Sequence, residues 1–206
     1  MDSFTRHVAT EGYDGTKLSG IAAELGISQG TIIHHFGSKE KLLATMHERY
    51  MAARIGELKE IVRVLATPEE RLAGILFSFV LAYRYSRDAT IAAQREIVRL
   101  RDSPARAAGV ELRRRYFRLV AGVVDDGVAT GVFRPTDTTL ETFFMFGASQ
   151  WMWTWYRVDG RLEPEEAARS LVRSVLSGLL NDRSGIDGLI EADGPTARAV
   201  IGILAR

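Results

Sequence analysis

The stretch "LGISQGTIIHHFGSKEKLL", Leu25 to Leu43, sets two short helical segments on either side of a single glycine. The second segment is poor in apolar residues, whereas a helix that only had to pack would carry a wider apolar stripe. Just upstream, Leu18, Ile21, Ala22 and Leu25 follow the i, i+3, i+4, i+7 rule and predict one buried face. Gly26 suits the left-handed turn that ends a helix. Ile27 is expected to plug the angle between the two helices, and Ser28 is a good N-cap for the second. At about 3.6 residues per turn, Ile32 and Phe36 point together and dock that helix on the first. Gly30, Thr31 and His34 then lie on the opposite face, with Gln29, Ile33 and His35 on its flanks.

A small, polar outward face near a helix N-terminus is what a major-groove reading helix needs. The backbone approaches closely, hydrogen-bonding groups meet base edges, and the positive dipole end lies near phosphate. Ser38 is expected to cap the next helix, with Lys39 at its start able to reach a phosphate. The same spacing also fits two packed helices at the edge of a helical domain. Charge favours that plainer reading. Residues 1–50 hold five Lys/Arg and six Asp/Glu, a net of −1, where a DNA-binding domain is expected to be basic.

Outward from this stretch, periodicity near 3.6 recurs along the chain and no run of period-2 alternation stands out, so the class is all-α. A helix is expected from Lys39 to about Leu65, with Leu43, Met46 and Tyr50 on one side. Thr67-Pro68-Glu69-Glu70 is a strong start for a helix reaching about Tyr85: a capping threonine, proline in the first turn, acids at the positive dipole end. Further helices are expected from Thr90 to near Arg101, from Ser103-Pro104 to about Thr130, from Thr138 to Tyr156, and from Pro164 to Leu180. The glycine-rich tail predicts at most one short helix from Thr196. This divides the chain into a three-helix helix-turn-helix domain (1–46), a helical ligand-binding and dimerisation domain (47–183) and a tail (184–206).

The totals agree with a soluble protein. The 206 residues are 46% hydrophobic and 26% charged, with a formal net charge of +1. Cysteine is absent, which excludes a disulfide framework and cysteine-held zinc and fits a reducing cytoplasm. The N-terminus lacks the apolar core of a signal peptide. The most hydrophobic run, Leu140 to Tyr156, is short for a membrane span and carries Glu141, Gln150 and Thr154. A cytoplasmic location is expected, with no membrane partner.

"EGYDGTKLSGIAAELGISQGTIIHHFGSKEKLL" resembles the DNA-binding domain of the TetR family of bacterial transcriptional repressors, with nearly unbroken spacing over roughly residues 4 to 46. The resemblance implies that Ser28, Gln29, Gly30, Thr31 and His34 read the groove. It implies that Lys17, Leu18, Ser19, His35 and Lys39 contact the DNA backbone. Ile33 stands where the family usually has tyrosine, so a phosphate-directed hydroxyl is missing at a DNA-facing position. Lys17 stands where a capping serine or threonine is common. The first helix is expected to be short, which leaves two alternatives: a start codon upstream of Met1, or weak DNA binding.

"TLETFFMFGASQWMWTWY" contains all three tryptophans and is apolar nearly all round, so burial on more than one side is expected. The helix after it shows Leu171, Val172, Val175, Leu176 and Leu179 on one face. Ser170, Ser174, Ser177 and Gly178 supply small residues beside them that let helices approach closely. Two such helices per subunit would make a four-helix bundle across a two-fold axis, as family members do; an intramolecular core is the alternative. A symmetric dimer implies two reading helices about one DNA turn apart and a roughly palindromic operator.

Aromatic residues are dispersed over the middle helices. Phe77, Phe79, Tyr83, Phe117, Trp151 and Trp155 fit a core or a ligand cavity, and Gln94, Arg95, Arg99 and Gln150 are candidates to orient a ligand. The run from Gly131 to Val172 also resembles TetR-type regulators of fatty-acid and steroid breakdown, most strongly in Trp-Tyr-Arg, Asp-Gly-Arg-Leu and Pro-Glu-Glu. That resemblance implies an apolar or acyl-CoA ligand, with phosphates near Arg95, Arg99 or Arg101; the same arginines also fit a solvated helix face.

An enzyme needs a nucleophile, a metal set or an acid/base pair in a cleft. His34 and His35 are adjacent on one helix, so their rings diverge, and His7 and His47 lack His-Glu-x-x-His spacing. Glu69-Glu70 and Glu165-Glu166 sit at helix starts, where the dipole explains them. No cofactor and no catalysis are expected. The expected function is a ligand-responsive repressor. The rival is a dimeric helical ligand- or partner-binding protein with little DNA affinity.

Overall fold

The computed structural model describes residues 1–97, 99, 107–157 and 159–206. Its α-helices are α1 (Asp2–Gly15), α2 (Leu18–Glu24), α3 (Gln29–Phe36), α4 (Lys39–Val64), α5 (Pro68–Tyr85) and α6 (Arg87–Arg95). They continue with α7 (Ala107–Ala129), α8 (Thr138–Gln150), α9 (Pro164–Leu179), α10 (Ile186–Ile190) and α11 (Pro195–Leu204). Among the described residues there is no strand, only an isolated antiparallel bridge between Phe133 and Leu180. The chain is all-α. Among the described residues, no helix is long and apolar enough to cross a membrane.

Two compact units divide the chain. The first takes residues 1–53 and 86–114, and its core gathers Phe4, Val8, Leu18, Ile21, Ala22, Ile32, Leu42, Leu43, Met46 and Ala92. Fully burying each large aliphatic or aromatic side chain of this set contributes about 1.5–3 kcal/mol. This core is what fixes α2 and α3 against α1 and the start of α4.

Within the same unit α1 packs on α6. α1 breaks at Gly12, whose φ of 77° is one that side-chain-bearing residues avoid. A break strands backbone groups that need partners. The Arg95 guanidinium donates to the Ala9 and Thr10 carbonyls at 3.3 and 3.4 Å. The Tyr13 amide donates to Glu96 Oε1 at 2.9 Å. The tip of α6 therefore supplies both an acceptor and a donor for the kink.

The second unit takes residues 54–85 and 115–206 and is built around α5, which is buried without interruption from Leu72 to Tyr83. α8, α9, α10 and α11 all pack on α5 or on one another. The expected start of α5 is present as a reciprocal cap. Thr67 Oγ1 accepts from the Glu70 amide at 3.3 Å, and Glu70 Oε2 accepts from the Thr67 amide at 3.1 Å. At the other end of α5, Arg84 pairs with Glu163 at 3.0 Å and Glu165 at 2.5 Å, holding the entry to α9.

Several expectations are corrected. The sixth helix begins at Arg87 rather than Thr90: Thr90 is fully buried inside it, with its amide bonded to the Ser86 carbonyl at 2.9 Å. The helix ends at Arg95, with Glu96 as its C-cap, rather than near Arg101; the next expected start, Ser103-Pro104, lies outside the described residues. α8 stops at Gln150 and a 3-10 turn, Met152–Thr154, follows. There the Thr154 hydroxyl donates to the Trp151 carbonyl at 2.8 Å, competing with a helical continuation. Residues 184–206 are no loose tail. They form α10 and α11, which bury Ile186, Ile190, Ala197 and Val200 within the second unit. Residues 86–114 group with the first unit rather than with the remainder of 47–183.

Candidate functional site

The first candidate region is α3 and its approaches. Gly26 takes the left-handed conformation expected of the turn, with φ +66°. Ser28 is the N-cap of α3: its Oγ accepts from the Thr31 amide at 3.0 Å and lies 2.9 Å from Thr31 Oγ1. Ile32 is buried and Phe36 partly buried, which turns Gly30, Thr31 and His34 outward; Gln29, Ile33 and His35 are exposed beside them. The His35 ring packs edge-on against Phe36, with centroids 4.5 Å apart. The Thr31 and His34 side chains are therefore open to a partner while the helix beneath them is fixed.

Ser38 caps α4, its Oγ accepting from the Lys41 amide at 3.1 Å. Lys39 begins α4 with its ammonium 4.3 Å from the centroid of the Tyr13 ring. Lys17 and Ser19 are exposed at the start of α2. Leu18 is buried in the core, as its place on the apolar face of α2 predicts, which leaves its backbone for the DNA contact assigned to it. Two side chains depart from expectation. Leu25 and Ile27, expected to be buried, are 51% and 42% exposed. α2 ends at Glu24, and the chain from Leu25 to Ser28 folds as a turn that carries both side chains off the helical packing face.

The candidate ligand residues are divided between the two units. Phe79 and Phe117 join an aromatic cluster with Tyr116, Phe143 and Phe146: Phe79 stacks on Phe146 at 5.4 Å, and Phe117 meets Phe143 at 4.7 Å. Tyr83 meets Tyr156 edge-on at 5.7 Å. Phe77 is fully buried, and two positions from Phe79 on one helix it points to nearly the opposite side. It is core. Gln150, Trp151 and Trp155 are exposed. Gln94, Arg95 and Arg99 belong to the first unit. There Arg95 caps the α1 kink, while Arg99 pairs with Asp14 and donates to Glu96 Oε2 at 3.2 Å. Both arginines contact α1. Glu96, Tyr116, Phe143 and Phe146 are not among the residues that the sequence singles out. Phe143 and Phe146 stand three apart on one helix, a spacing that was there to be read.

On α9, Val172, Leu176 and Leu179 are buried, Leu171, Val175 and Ser177 are half-buried, and Ser170, Ser174 and Gly178 are exposed. The five apolar residues thus divide between a core edge and a flank. On α8, Leu140, Phe143 and Phe144 remain exposed, Phe144 to 68%, and Trp151 beyond it to 65%. Burial on more than one side is therefore not met within this chain.

Buried ionisable groups lie elsewhere. His47 is held down to about 4, first by burial and then by the Arg113 charge. Burial pushes the Glu57 carboxyl up, against the opposing pull of Arg54. Among the described residues no group of His, Cys, Asp or Glu is arranged to hold a metal.

Residues 5–46 match the family described as "Bacterial regulatory proteins, tetR family", and residues 65–179 match "Tetracyclin repressor-like, C-terminal domain". The HTH-type transcriptional repressor KstR2 of Mycolicibacterium smegmatis is 28% identical over 173 residues, covering 83% of this chain and 84% of the relative. The solved ketosteroid transcriptional regulator KstR2 of Mycobacterium tuberculosis superposes with a TM-score of 0.79 at 25% identity, covering 88% of this chain and 93% of that one. AibR, solved in complex with isovaleryl coenzyme A and operator DNA, gives a TM-score of 0.75 at 26% identity over 82% of this chain and 92% of its own. The family is one of DNA-binding regulators rather than enzymes. With both halves matched, this chain belongs to the TetR family of bacterial regulatory proteins.

Proposed function

We propose that this chain is a ligand-responsive transcriptional repressor that binds a palindromic operator as a homodimer and senses an apolar ligand such as a fatty or steroid-derived acyl-CoA. The observation that carries the DNA part is the pair Thr31 and His34, exposed on a helix that Ser28 caps and Ile32 anchors. Ser28, Gln29, Gly30, Thr31 and His34 act on base edges. The Leu18 backbone, Lys17, Ser19, His35 and Lys39 act on the phosphates. The dimer is supported by the exposed apolar side chains of α8 with Trp151, and by the small residues Ser170, Ser174 and Gly178 open on α9.

The ligand class is supported by two relatives: KstR2, named for ketosteroids, and AibR, bound to isovaleryl coenzyme A. The aromatic cluster around Phe79, Phe117 and Phe146 is where we place the acyl chain. The ligand favours a dimer geometry whose reading helices no longer match the groove, so operator affinity falls. By linkage, operator DNA weakens ligand binding by the same factor. A cytoplasmic location follows from this role.

The test is titration of promoter DNA against the purified protein at several salt concentrations, with and without isovaleryl coenzyme A. A repressor binds operator more tightly than random duplex and loses affinity as salt rises. Equal affinity for operator and random duplex favours a ligand- or partner-binding protein instead. Equal ligand affinity with and without operator removes the proposed coupling.

A further inference from the structure

Among the outward residues of α3, Ile33 has no hydrogen-bonding group in its side chain. It is 37% exposed and stands between Ile32, which is buried, and His34, which is exposed. Three residues after Gly30, it neighbours that glycine on the helix surface and flanks the face that Gly30, Thr31 and His34 share. At Gly30 an added Cβ would meet only Ser28 Oγ, at 3.4 Å. With no side chain of its own, Gly30 keeps the surface one turn before Ile33 low. The neighbouring polar group, Thr31 Oγ1, is already oriented by Ser28 at 2.9 Å.

A branched aliphatic side chain pressed into a groove lined with donors and acceptors loses water without gaining a bond, unless it meets an apolar group. The floor of the major groove presents one such group, the thymine C5-methyl. We propose that Ile33 is a specificity-determining residue that reads a thymine methyl in each half-site, selecting thymine over cytosine at one position. This rests on α3 entering the major groove. Leu25 and Ile27 are also exposed, but they belong to the turn before α3 and share no helical face with Gly30 and His34.

The experiment first selects preferred sites from a random-sequence duplex pool with the full-length protein. Each thymine of the selected site is then replaced by uracil, which lacks only the methyl, and binding is measured for the wild type and for Ile33→Ala and Ile33→Thr. At one symmetric thymine, uracil lowers wild-type affinity by about 4-fold per half-site, the worth of one buried methyl. The same replacement has no effect on Ile33→Ala, and little on Ile33→Thr. Circular dichroism confirms that both variants stay folded. A selected site in which every uracil replacement is neutral, or equally costly in wild type and variants, overturns the assignment and puts Ile33 against deoxyribose instead. Selection of no sequence at all, with no duplex bound, fails the DNA-binding reading itself and is distinct from either result.

Discussion

The Lys39 ammonium lies 4.3 Å from the centroid of the Tyr13 ring, and the Arg99 guanidinium lies 4.9 Å from the same centroid. One aromatic ring thus engages a cation at the start of α4 and another just beyond α6. Tyr13 is itself held through its amide by Glu96, and Glu96 is bonded in turn to Arg99. A side chain assigned to phosphate contact is thereby stationed by the residue that follows the α1 kink. Cation–aromatic pairs at partly exposed sites contribute about 0.5–1 kcal/mol each. Tyr13→Leu is expected to lower stability by roughly 1–2 kcal/mol for the two pairs together, read by urea denaturation. Lys39→Gln should cost about 0.5–1 kcal/mol of stability for its one pair and reduce the salt dependence of DNA binding by about one phosphate per half-site. An unchanged slope would remove Lys39 from the contact set.

Ser28 ties α3 to its turn through the Thr31 amide and hydroxyl. Ser28→Ala is expected to cost about 1 kcal/mol of stability as a lost N-cap. Thr31→Ala keeps the capped amide and so costs less stability, but should lower operator binding by roughly 1–3 kcal/mol with ligand affinity unchanged. Calorimetry on both variants, beside DNA titrations, separates the scaffold from the contact. A loss of ligand affinity alone in Thr31→Ala would contradict the assignment.

His47 makes the first unit sensitive to acid. It is buried, and its pKa is lowered to about 4 from an ordinary 6.5 by burial and by Arg113. The unfolded chain binds a proton that the folded chain refuses, so the contribution of neutral His47 is whole above about pH 6.5. It is lost progressively as pH falls towards 4. The full difference is on the order of 3 kcal/mol. Stability measured from pH 7.5 to 4.5 should fall more steeply in the wild type than in His47→Leu. Parallel curves would show that another group carries the acid sensitivity.

Ser174 is exposed on α9 of the single chain. Ser174→Glu is expected to leave the fold intact and to yield monomers in sedimentation, because two carboxylates would face each other across a two-fold axis. A folded dimer with unaltered dissociation would place the interface elsewhere.

Much of the architecture was legible because helix starts carry their own chemistry. Thr67-Pro68-Glu69-Glu70 and Glu163-Pro164 announce α5 and α9, and Ser28 announces α3. Ile32 and Phe36 were readable as the docking side of α3 from spacing alone. What escaped depended on tertiary neighbours. Nothing in the local sequence says that Arg95 caps a kink eighty-odd positions away, at Ala9 and Thr10. α10 and α11 were obscured by glycines and short length, and their stability comes from packing rather than propensity. The aromatic residues were recognised as a class, but Phe77 and Phe79 could be sorted only by which side of α5 each one meets.

All three tryptophans fall between residues 151 and 155, and Trp151 and Trp155 are 65% and 55% exposed. Ultraviolet emission excited at the indole band therefore reports on one short segment, without dyes or labels. Light from a solitary subunit should be red-shifted by water, and anything that covers this corner should turn it bluer. Were the proposed dimer to cover this corner, the same light would follow its assembly.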